Sequence, residues 1–167
     1  TTVVRAVMSD HEIPEQTGGT TAIPGAAMVL GAAGVLPQVA ALVAVLAGDP
    51  AWTFGALALA YAYAAIIFSF LGGLWWGLAA RERAAPQWVY AAAVVPSLIA
   101  LASAVPWAIG ADWPGPSLIL LGLFILISPL VDRVLVRERL APLWWMRLRV
   151  PLSIALGTLT LATGLLS

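Results

Sequence analysis

Ser69-Phe70-Leu71-Gly72-Gly73-Leu74-Trp75-Trp76-Gly77 lies inside a run from Trp52 to Ala80 that contains no charged residue. A helix rises about 1.5 Å per residue and the hydrocarbon core of a bilayer is about 30 Å thick, so the run predicts a transmembrane helix with length to spare. A tilt is the expected way to absorb the excess, with a bend at Gly72-Gly73 or a protruding end as alternatives. From Ala65 onward every fourth residue is small: Ala65, Ser69, Gly73 and Gly77. These positions share one helix face, and small residues let a neighbouring backbone approach closely, so the spacing predicts a packing seam around which the other helices gather. Trp75 and Trp76 stand within two turns of Arg81, which predicts that both rings anchor at headgroup level.

Composition carries the membrane reading to the whole chain. Hydrophobic residues make up 62% and charged residues 10% of the 167 positions, and mean hydropathy is +0.97. Soluble domains are about half apolar and a quarter charged, so an integral membrane protein is expected. There is no cysteine and one histidine, His11. Disulfides, iron-sulfur ligation and thiol nucleophiles are thereby excluded, and no metal site or cofactor is expected.

Five spans are predicted, at about 24–48, 52–80, 88–109, 117–131 and 150–166, giving an all-α bundle. Residues 1–23 read as a flexible polar tail, and acidic residues near its apolar boundary argue against a secretory signal. Pro37 breaks the first span beside Gln38, and Pro96-Ser97 and Pro106 break the third. The fourth span is rich in leucine and isoleucine, which predicts an outer, lipid-facing position. Residues 132–149 alternate charge with apolar residues and predict a connector lying on the membrane surface. Within it Asp132 is expected to pair with Arg147 or Arg149. The last span carries Ser153, Gly157, Thr160 and Gly164 at helical spacing, a second packing stripe expected to meet the Gly73 seam.

Five spans put the amino terminus, the 81–87 turn and the connector on one side, together with all eight arginines. The other side holds Asp49 and Asp112. The positive-inside rule then predicts a cytoplasmic amino terminus and a carboxyl terminus on the opposite side. Trp88, Trp144 and Trp145 join Trp75 and Trp76 as expected anchors of the inner face, and Trp52, Trp107 and Trp113 belt the outer one.

Four motifs occur in order: Gly34-Val35-Leu36-Pro37, the Ser69 to Gly77 stretch, Val95-Pro96-Ser97-Leu98, and Trp144 to Arg149. In this combination the chain resembles the transmembrane protein 69-like family of unknown function over nearly all of residues 28 to 160. The resemblance implies a small polytopic protein of a bacterial inner membrane, with relatives in mitochondria, and it implies no reaction. Many members carry histidine where this chain has Trp75, so a ligand or proton-carrying role, if that histidine had one in the family, would lack its imidazole here.

The residues favour a non-catalytic accessory or assembly subunit that packs against other membrane-protein subunits, in a respiratory or photosynthetic complex given the membranes the resemblance implies. The alternative is a carrier of a neutral or hydrophobic ligand, such as a quinone or lipid, in a cavity between the broken helices with Gln38, Ser69 and Ser97 as polar contacts. Ion or proton coupling is disfavoured because the five apolar cores contain no ionisable residue. An intramembrane enzyme would need a base or metal at depth, which the sequence does not supply. Membrane lipids are expected partners and nucleic acid is not.

Overall fold

Residues 21–167 are described by the structure, a computed structural model, and their regular structure is helical throughout. Most of the expected polar tail, with Arg5 and His11, falls outside the described residues. The first span, Gly25–Ala47, is two helices, α1 (Gly25–Ala33) and α2 (Leu36–Ala47), split just before Pro37. Proline has no N–H to give, so the break leaves backbone carbonyls unpaired, and the Tyr63 hydroxyl donates to that of Gly34. Gly48 ends α2 at a φ of 71°, a left-handed value that glycine adopts without strain. Asp49 then accepts from the backbone N–H of Ala51 at 2.9 Å and caps α3 (Pro50–Ala80), whose 31 residues form the second span.

The third span joins α4 (Gln87–Ser103), with Pro96 inside it, to the short α5 (Val105–Ala108). The fourth joins α6 (Gly115–Ile127) to α7 (Pro129–Arg137), and α8 (Trp145–Leu165) is the fifth. The expected surface connector over 132–149 is therefore shorter. Helix continues through Asp132 and Arg133 to Arg137, and the last span begins at Trp145, five residues before the expected Val150. Hydropathy placed the edges at the first charges, but Asp132 and Arg149 neutralise each other inside the protein and so need not lie outside it.

The ends of the spans sort as five crossings require. The 81–86 turn and residues 138–140 border one cleft, and Arg147 reaches the Thr21 carbonyl at 3.5 Å, at the end where the seven described arginines gather. Pro50, the Gly110–Pro116 turn and Ser167 meet around a recess of about 710 Å³ at the other end.

Helix α3 is central, touching α2, α4, α6 and α8. Its packed face is not the expected one. A Cβ added at Gly73 or Gly77 would meet nothing within 4 Å, and both residues are exposed. Ala65 and Ser69 are partly buried. The inward face instead runs through Ala60, Ala64, Phe68, Gly72, Trp75 and Ala79. At Gly72 a Cβ would stand 2.2 Å from the Ala93 carbonyl oxygen, in the turn of α4 just before Pro96. Adjacent glycines offer two candidate faces about 100° apart, and α4 packs against Gly72.

The stripe expected on α8 is real, since Ser153, Gly157, Thr160 and Gly164 are all buried. Its partner is α6 rather than α3. Gly115 and Gly122 on α6 and Gly157 and Gly164 on α8 are spaced two turns apart in antiparallel helices. A Cβ on Gly122 would lie 2.8 Å from the Leu161 nitrogen, and one on Gly164 would lie 2.9 Å from the Gly115 oxygen. Helix α6, expected to face lipid, thus buries Leu118, Leu121 and Ile125 as well. Overall hydrophobicity does not separate a lipid-facing helix from a packed one, because lipid is as apolar as the interior.

Candidate functional site

The densest polar cluster among the described residues is centred on Asp132, which is fully buried in α7. Helix α7 is amphipathic, and turning Leu135 inward turns Asp132 inward three residues before it. The indole N–H groups of Trp75 on α3 and Trp145 on α8 both donate to Asp132 Oδ1 at 2.9 Å. Arg149 Nε donates to Oδ2 at 2.9 Å, and Arg149 Nη2 donates to Ser128 Oγ at 3.3 Å. Ser128 in turn donates to the Ile125 carbonyl at 2.8 Å and lies 3.4 Å from Ser153 Oγ. A carboxylate accepts, whereas indole and guanidinium only donate, so the groups match in kind, with two donors on Oδ1 and one on Oδ2. The cluster can clamp three helices together at one depth.

Of the expected pair, Asp132 and Arg149 meet and Arg147 does not. Trp75 is not an interfacial anchor: it is 3% exposed, and its ring N–H is spent on Asp132. Trp145 is partly buried for the same reason, with Trp144 tilted against it at 5.8 Å between ring centres. Trp76 and Trp88 do lie exposed, Trp76 edge-on to Tyr90 at 5.0 Å. The sequence held a signal for the Asp132–Arg149 pair, but Trp75 lies 57 residues from Asp132 on another helix.

Gln38, Ser69 and Ser97, the expected polar contacts of a shared cavity, are not brought together. Gln38 is fully buried and its amide donates to Thr160 Oγ1 at 2.6 Å, fastening α2 to α8, while Oε1 has no partner among the described residues. Ser97 is exposed on α4. Pro37 lines a cavity of about 530 Å³ between α2 and α3. Pro96 lines a different one, of about 260 Å³, between α3, α4, α6 and α7. At the far end Trp113 is ringed by Tyr61, Phe54 and Trp107 at 5.2, 6.0 and 6.1 Å. The Tyr61 hydroxyl lies 3.0 Å from Ser103 Oγ, and Ser117 Oγ donates to the Ser103 carbonyl at 2.6 Å, tying α3, α4 and α6. The described residues contain no group of three or more histidine, cysteine or carboxylate side chains placed to hold a metal ion.

The sequence profile of a family described as "protein of unknown function (DUF3429)" matches residues 23–165. No curated protein and no solved structure matches the chain.

Proposed function

The chain belongs to the DUF3429 family of proteins of unknown function and has five helices long and apolar enough to cross a membrane, and from that premise we propose that it acts as a non-catalytic accessory or assembly subunit that docks on a larger membrane complex. The observation that carries this reading is the outer face of α3. Gly73 and Gly77 lie open there, one turn apart, with nothing within 4 Å of an added Cβ. Small residues on a lipid-facing surface contribute little to a lone bundle, because bulky side chains solvate equally well in lipid. They let a second helix come within backbone contact, which is where association between transmembrane helices gains most of its energy.

The interior supports the same reading. Asp132, Gln38, Tyr61 and Ser117 are each engaged with another helix rather than with a path across the bundle. The larger cavities at membrane depth have almost wholly apolar linings. The gathering of seven arginines at one end supports a cytoplasmic orientation of that end by the positive-inside rule, and the resemblance to transmembrane protein 69-like proteins supports a bacterial inner membrane. Purification in a mild detergent through a tag at Ser167 tests the proposal. Stoichiometric recovery of subunits of one respiratory or photosynthetic complex is expected; a solitary, monodisperse bundle that moves a quinone or lipid between liposomes would overturn it.

A further inference from the structure

We propose that the groove between α3, α4 and α7 is a binding site for one anionic phospholipid, with an acyl chain in the groove and the phosphate held by Arg133 and Arg137. The site lies on a different flank of α3 from Gly73 and Gly77 and stands independently of the docking face. The groove encloses about 260 Å³, with Phe68 and Trp75 on one wall, Val95 and Pro96 on a second and Leu130 and Val131 on a third. Leu130 and Val95 are 65% and 46% exposed, so the groove opens sideways where lipid chains lie. Its lining is apolar and suits a hydrocarbon chain rather than a polar solute.

Charge supplies the second half of the argument. Beyond the groove, Val134 and Arg137 follow Leu130 at one-turn intervals on the same face of α7, with Arg133 one turn before Arg137. Both arginines are exposed, and neither forms an ion pair among the described residues. The turn between α3 and α4 adds Arg81 and Arg83, and residues 138–140 add Arg139 beside Glu138 and Glu82. Five arginines against two glutamates leave this end positive. An apolar slot that rises into a positive rim at headgroup level matches the amphipathic order of an anionic phospholipid, which free phosphate or a neutral lipid satisfies only in part.

The test compares thermal stability of the full-length protein in nanodiscs of POPC alone and of POPC containing POPG. Wild-type protein should melt higher with POPG, and inorganic phosphate added to POPC discs should give no shift. Arg133→Gln/Arg137→Gln should keep the POPC melting temperature and weaken POPG binding about 30-fold, from about 1 kcal/mol for each arginine. Ala92→Phe, which fills the groove below the rim, should also abolish the POPG increment. Equal melting in the two lipids, or an increment that survives Ala92→Phe and so reflects surface charge alone, would overturn the proposal.

Discussion

Trp75 and Asp132, 57 residues apart in sequence, meet inside the bundle with the indole N–H 2.9 Å from Oδ1. Together with Trp145 on the same oxygen and Arg149 on Oδ2, the contact fixes α3, α7 and α8 at one height. Each donor answers one carboxylate lone pair, so loss of any one leaves a buried acceptor or charge unmatched.

Asp132→Ala should therefore be the most damaging polar substitution in the described chain, because it strands the Arg149 charge near the protein interior. Breaking a buried pair by removing one partner costs about 3–5 kcal/mol. Trp75→Phe keeps the ring and loses only the donor, so about 1–3 kcal/mol is expected. Thermal melting in detergent reads both, and a double-mutant cycle should show coupling of Asp132 to Arg149 and none to Arg147.

Neighbouring glycines on α3 should behave oppositely. Gly72→Ala pushes a methyl to 2.2 Å from the Ala93 oxygen, so helix α4 must move or the variant lose stability. Overpacking of this kind costs about 1–3 kcal/mol. Gly73→Ala meets open space and should leave the melting temperature unchanged or slightly raised, since alanine favours helix more than glycine does. Equal melting of the two variants would contradict the assigned face.

The α6–α8 interlock predicts that Gly122→Leu and Gly157→Leu each destabilise strongly, and that the pair combined costs less than the sum. Both side chains would enter the same crossing, where Gly122 and Gly157 already sit at 3.0 Å from an added Cβ to the facing oxygen. Residues in contact couple by about 0.5–3 kcal/mol. Strict additivity in melting experiments would place the two glycines in separate contacts.

Much of this arrangement was legible in the sequence, and the misses share one cause. Five apolar runs predicted five crossings, and the spacing of Ser153, Gly157, Thr160 and Gly164 identified a packed face, because helical period and length are local properties. Which helix meets that face is not local. Gly73 and Gly72 differ by one position, and only the carbonyl of Ala93 on another helix chooses between them. The pairing of Asp132 with Arg149 is legible in the sequence, whereas its burial depends on the indole donors of Trp75 and Trp145, which only the fold brings to it. Gln38 reads in the sequence as a polar contact of a cavity, and Thr160 on α8 makes it a link between helices.

Orientation can be tested without background reactivity, since the chain has no cysteine. Single cysteines at Asp112 and Ser167 should react with an impermeant thiol reagent in intact cells, and single cysteines at Thr2 and Glu82 should not. Labelling at Glu82 would invert the topology.

The docking account rests most directly on Gly73 and Gly77, and the decisive measurement is purification of Gly73→Leu/Gly77→Leu beside wild type, with melting temperature recorded for each. Because nothing lies within 4 Å of either added Cβ, the double variant should melt like wild type and yet lose the co-purifying subunits. Full retention of those subunits by a normally folded double variant would show that the outer face of α3 is not where the protein docks.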